Sequence, residues 1–170
     1  MNKLKAASLF AVAVAVVVVV AVPAGAVAAR MHVDHGNGPT VVHDGAYAGI
    51  TTQVHSWSRE GQSRVRLMVD GLPTGRTFGA HVHTGPCGRD PLASGGHYQH
   101  STDGSIPLSQ REVWLDVTAN ADGHASTTTE VPWEFLPGTA GSVVLHALPT
   151  NPTTGSAGPR LACTTVTFGE

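Results

Sequence analysis

Beyond residue 38 the chain runs in short segments rich in Val, Thr and aromatic residues, each closed by Gly, Pro, Asn or Asp. None carries a sustained apolar period of 3.6 residues with caps, so no long helix is expected. The pattern predicts strands over 40–44, 47–56, 63–70, 77–83, 112–119, 125–131, 142–147 and 161–168. Turn signals between them include Arg59-Glu-Gly-Gln, Asp70-Gly-Leu-Pro-Thr-Gly and Asn120-Ala-Asp-Gly. Eight short strands at this spacing specify an all-β antiparallel sandwich or flattened barrel. Two connections, 84–111 and 148–160, break the rhythm. Long loops in a compact β domain usually carry function, so the site is expected at that end.

The chain has 170 residues, enough for one domain with a real core. Lys3 and Lys5, the uncharged apolar run 6–22 and the small residues up to Ala29 form a secretory signal pattern over 1–29. The competing reading is an uncleaved membrane anchor, because the apolar run approaches spanning length. Residues 30–38 are polar and turn-rich and read as a flexible lead-in, in which His32 and His35 are solvated, and 39–170 forms the β domain. Both lysines lie in the leader. Cleavage after Ala29 leaves eight Arg against twelve acidic residues, a formal charge of −4. Such a domain lacks the basic face that nucleic acid requires. No apolar segment after Ala29 is long enough for a further membrane span. No distinctive apolar edge patch is readable, so no oligomeric state follows.

The only cysteines are Cys87 and Cys163, and in an exported chain an even pair is most simply a disulfide, with two separate thiols as the alternative. Closing a loop of that length contributes about 4 kcal/mol in the chain-entropy model.

Chemistry concentrates in Phe78-Gly-Ala-His81-Val-His83-Thr-Gly-Pro-Cys87-Gly and Gly95-Gly-His97-Tyr-Gln-His100. Side chains alternate along a strand, so His81 and His83 project to one side. Two imidazoles on one wall, with more returning from a loop, make a transition-metal shell that suits Cu, Zn, Ni or Fe alike.

In order, His81-Val-His83, Cys87, Gly-Gly-His97-Tyr, Val-Val-Leu-His146-Ala and Gly158-Pro-Arg160-Leu-Ala-Cys163 resemble the copper/zinc superoxide dismutase family, over roughly residues 40–168. The resemblance implies an eight-stranded Greek-key β-barrel. It assigns copper to His81, His83, His97 and His146, a Cys87–Cys163 bridge between the metal-bearing loop and the last strand, and Arg160 beside the metal. Four neutral imidazoles suit Cu(II), and dismutation needs a metal with two oxidation states. Arg160 and His97 are the expected catalytic residues, with Arg160 giving superoxide a local positive charge on an acidic domain.

Zinc is where the chain departs from the family. His100 and Asp103 are near enough to His97 in sequence for an improvised zinc site. The position where the family places a further His before Gly-Asp reads Arg111-Glu-Val-Trp, however, and connection 148–159 has no charged residue. Both features resemble the copper-only branch. There Glu112 is the candidate carboxylate to accept the second N–H of His97, with a surface Glu as the plain alternative. Asp116 reads as a strand or turn residue. Trp114 and Trp133 read as core or rim packing, and His43, His55 and His124 as surface residues. The expected activity is an exported, copper-dependent dismutase; the alternative is a non-catalytic copper-binding or storage module on the same fold.

Overall fold

The computed structural model describes residues 32–35 and 39–169. The leader expected over 1–29 and residues 30–31 and 36–38 of the expected lead-in lie outside the described residues. Among the described residues, no helix is long and apolar enough to cross a membrane.

The strands are β1 (His32–His35), β2 (Val41–Val42), β3 (Thr51–Arg59), β4 (Gln62–Asp70), β5 (Thr77–Phe78), β6 (Ala80–His83), β7 (Val117–Thr118), β8 (Ala125–Val131), β9 (Ser142–His146) and β10 (Arg160–Thr165). They form two four-stranded antiparallel sheets, ordered β1-β3-β4-β8 and β2-β10-β9-β6, and a ribbon of β5 and β7. Among the described residues, helix is confined to three 3-10 turns. The expected all-β antiparallel class is thus found, as an arrangement of sheets consistent with a sandwich.

Among the described residues the strand count is ten where eight were expected. One addition is His32–His35, which pairs with β3 inside the stretch read as a flexible lead-in. The other comes from residues 77–83, which break at Gly79 into β5 and β6. A Cβ built at Gly79 would lie 2.8 Å from Thr150 Oγ1 and 2.9 Å from the Leu148 carbonyl, so the chain of a neighbouring loop occupies the space. The segment predicted over 112–119 pairs as a strand only at Val117–Thr118. Residues 113 and 115 instead bond along β6, Val82 N to Val113 O and Leu115 N to Ala80 O. The strand predicted from 47 begins at Thr51, because Asp44 caps a 3-10 turn over Gly45–Tyr47 by accepting from Ala46 N.

Strands β3 and β4 form a hairpin from Thr51↔Asp70 to Arg59↔Gln62. Its two turn residues, Glu60 and Gly61, both have positive φ (54° and 79°), the turn whose twist matches antiparallel strands. Along β4, Ser63, Val65, Leu67 and Val69 are buried while Gln62, Arg64 and Arg66 are exposed. That two-residue period turns one face to the core and one to water.

In the second sheet, β6 and β9 are buried along their whole length. Ala80, Val82, Val143 and Leu145 belong to the apolar core with Phe78, Leu115, Leu161 and Phe168. By alternation His81, His83, Val144 and His146 occupy the opposite face, and His81 sits opposite Val144 in register. The register of β9 with β10 shifts between Arg160 and Ala162, so that Arg160 faces His146 while Ala162 faces Leu145. A bulge of this kind turns a residue to the other side of its strand. It brings Arg160 to the face of the histidines.

Candidate metal centre

One group of metal-ligating side chains is present among the described residues: His81, His83, His97 and His146, with one ligand atom from each all within 4.8 Å of one another. His81 and His83 come from β6, and His146 ends β9. His97 is carried on connection 84–111 and pinned by a single bridge to His83. His81 and His83 are fully buried and His146 is 4% exposed. Only the His97 side chain, 20% exposed, opens to solvent.

Each ring is held through a nitrogen facing away from the centre. His83 Nδ1 donates to the Gly95 carbonyl at 3.1 Å and His146 Nδ1 to the Gly158 carbonyl at 3.0 Å. A carbonyl only accepts, so both rings carry their proton on Nδ1 and present a lone pair at Nε2. Those two Nε2 atoms lie 3.3 Å apart, two acceptors facing each other, an arrangement that a cation would satisfy. His97 Nδ1 donates to Glu112 Oε2 at 2.9 Å. His81 is the exception: its Nε2 is 2.8 Å from Thr150 Oγ1, and its buried Nδ1 has no hydrogen-bond partner. An orphaned ring nitrogen beside three inward lone pairs fits a bound metal ion.

Glu112 is buried, and its carboxylate also accepts from Trp114 Nε1 at 2.7 Å and Gln99 Nε2 at 2.8 Å. Burial works to raise its pKa, but the hydrogen bonds from His97, Trp114 and Gln99 outweigh that and hold it below the usual carboxylate range. Glu112 is therefore no surface residue, and Trp114, read from sequence as packing, also serves as a donor to it.

Burial, reinforced by the charges of His97, His146 and His83, pushes His81 down to about 2. Burial likewise pushes His83 to about 3 against the opposing bond to Gly95, and His146 to about 4 against the bond to Gly158. All three rings are neutral near pH 7, the state a metal needs.

Arg160 donates to Pro91 O at 2.7 Å, Ser94 Oγ at 2.9 Å and Gly95 O at 2.7 Å. Three of its five N–H groups thus brace the loop, and one does so through the carbonyl that holds His83. Its charge contributes to the lowered pKa of both His83 and His146. Cys87 and Cys163 form a disulfide with Cα atoms 5.7 Å apart, which ties connection 84–111 to β10.

His100 and Asp103 stand apart from the four rings. His100 is exposed and stacks on Trp133 with centroids 4.6 Å apart, and Asp103 accepts from Ser105 N and Oγ in its own turn. Neither is among the four residues of the metal-ligating group found among the described residues. His43, His55 and His124 also lie outside the group, and His124 pairs with Asp70.

Sequence reasoning missed the carbonyls of Gly95 and Gly158, which carry no side-chain signal. It also left Thr150 and Asp116 without a role. The one available hint was an uncharged connection running directly into Arg160.

Sheets, staple and centre define an all-β domain with a cluster of four imidazoles that could hold a metal ion. The chain belongs to the copper/zinc superoxide dismutase family: that family's model matches residues 48–166, which include all four histidines, both cysteines and Arg160. No individual curated protein matches it.

Proposed function

We propose that the protein is an exported, copper-dependent superoxide dismutase converting superoxide to dioxygen and hydrogen peroxide. The observation that carries this reading is the convergence of four imidazole nitrogens within 4.8 Å, three of them with the opposite nitrogen tied to an acceptor. Copper held by His81, His83, His97 and His146 supplies a one-electron couple, which redox-silent zinc does not.

The chain's own residues do the rest. Arg160, braced by the loop, keeps two N–H donors and a permanent charge for a small anion. On an acidic domain this local cation is what draws superoxide in. His97, the one ring exposed to solvent, marks the side of approach, and Glu112 fixes its proton on Nδ1 so that Nε2 faces inward. The other six inward and outward nitrogens are shielded, which confines reaction to that side.

A copper-only centre fits best, because the His97 nitrogen that a second metal would need already donates to Glu112. The disulfide and the signal pattern over 1–29 support function outside the cytoplasm, in the periplasm, the cell-wall space or the medium. Arg160 counts against a storage module, which has no use for a guanidinium beside the centre. A Greek-key barrel closed by the two four-stranded sheets remains the topology we assign to the domain as a whole.

The test is superoxide decay by the purified, copper-loaded domain, followed by pulse radiolysis, with metal analysis of the same sample. One copper per chain, no zinc and rapid decay are expected. His146→Ala should abolish turnover, and Arg160→Ala should slow it while copper stays bound. Bound copper without turnover would favour the storage module instead.

A further inference from the structure

Three of the four rings are oriented by acceptors that hold no proton of their own: two backbone carbonyls and a carboxylate. His81 meets a hydroxyl, which can donate or accept, so the contact alone does not say which nitrogen of His81 bears the proton. The surroundings of that hydroxyl decide it. Thr150 Oγ1 lies 2.5 Å from Asp116 Oδ1, and Thr150 N donates to Asp116 Oδ2 at 2.9 Å.

We infer that Asp116 and Thr150 are positioning residues that fix the tautomer of His81 and so select Nδ1 as its metal-facing nitrogen. The inference rests on the metal-binding reading of the centre. A hydroxyl has one proton, and a carboxylate can only accept, so Thr150 spends its proton on Asp116. Toward His81 it then offers lone pairs alone. His81 Nε2 must carry the hydrogen, which leaves the lone pair on Nδ1, the buried nitrogen with no partner. The opposite arrangement would set an unprotonated Nε2 or an unprotonated hydroxyl face against another acceptor.

The relay is built in from several sides. Asp116 Oδ1 also accepts from Ala80 N at 3.4 Å, so the carboxylate is moored to the residue preceding His81. Thr150 reaches the ring because position 79 is glycine: a Cβ there would stand 2.8 Å from Thr150 Oγ1 and 2.5 Å from the Ala157 Cβ. The device also answers a geometric problem. His81 and His83 stand two residues apart on one strand, with ring centroids 6.4 Å apart. Each of the two rings nonetheless offers one nitrogen within the shared 4.8 Å.

Long-range 1H–15N NMR on the metal-free, disulfide-intact domain reads the tautomer of each histidine directly. Wild type and Thr150→Ser should show His81 protonated on Nε2 only. Thr150→Val should lose that preference. So should Asp116→Asn, because an amide N–H can donate to Thr150 and release its hydroxyl to donate to Nε2. A wild-type His81 protonated on Nδ1, or a Thr150→Val spectrum identical to wild type, would overturn the relay. Copper titration of the same samples tests the selection of Nδ1. Affinity should fall about 10-fold in Thr150→Val, the lower end of the usual cost of losing a group that orients a metal-bound histidine, and recover in Thr150→Ser. Unchanged affinity with an altered tautomer would refute the selection. The expected tautomer in a wild-type domain that binds no copper would instead sink the metal-binding reading and leave the relay standing.

Discussion

The connections 84–111 and 147–159 cover the same four imidazoles by different means. The first is long and cross-linked: Cys87 staples it to β10, Arg160 bonds three of its atoms, and it contributes His97 and the Gly95 carbonyl. The second is short and uncharged, contains no cysteine, and supplies the Gly158 carbonyl, Thr150 and a close backbone pass at Gly155. One loop is held by a disulfide and a guanidinium's hydrogen bonds, the other by backbone hydrogen bonds, fit and the Thr150–Asp116 contacts. The difference teaches that ligand orientation here does not depend on which kind of anchor a loop uses. It depends on each outward nitrogen meeting a defined partner.

Acid should act on the strand histidines that both loops cover and so give the largest effect. His81, His83 and His146 have pKa values lowered from 6.5 to about 2, 3 and 4, while the unfolded chain binds protons at the ordinary value. Below pH 6.5 the unfolded state therefore takes up more protons than the folded one, and stability falls as pH falls. The loss should continue down to about pH 4, where His146 begins to charge, and further until His83 and His81 follow. Chemical denaturation of the metal-free domain between pH 7 and 4 measures it, and a flat profile would contradict the burial of the rings.

Removing the staple should break the first loop's distinction. Cys87→Ser with Cys163→Ser is expected to cost about 4 kcal/mol in urea unfolding, as the closed loop spans 76 residues. A far smaller cost would mean that Arg160 and the loop's other hydrogen bonds suffice to hold connection 84–111. Glu112→Gln should lower copper affinity by about 10-fold to 100-fold, read by competition with a chelator, because it weakens the orientation of His97.

The smallest effect is expected in the second loop. Gly155 has φ of +71°, and a Cβ there would lie 3.3 Å from Glu112 Oε2 and 3.7 Å from His97 Nδ1. Gly155→Ala should cost about 1–2 kcal/mol for the left-handed backbone, measured by thermal unfolding. It should also disturb the His97–Glu112 pair, where the two loops meet.

Much of this was readable from the chain, for reasons that differ by element. The strand 125–131 was legible because its ends are set by local turn residues and it spans a single sheet position. His81 and His83 were legible because alternation along one strand is a local rule. Glu112 was legible only as one of two options, since its role depends on residues 113 and 115 bonding to β6. The roles of Thr150 and Asp116 were not legible, because they arise from a loop folding back over Gly79. The bulge that turns Arg160 toward His146 was equally hidden, being a property of the pairing between two strands. Carbonyl acceptors such as Gly95 and Gly158 leave no trace in residue identity at all.

The central claim is that four imidazoles share one copper ion, and X-ray absorption of the copper-loaded domain tests it most directly. The account predicts one copper per chain with a shell of imidazole nitrogens from four histidines and no sulfur, reduced by one imidazole in His146→Ala. A carboxylate- or sulfur-rich shell, or a spectrum unchanged in His146→Ala, would contradict it.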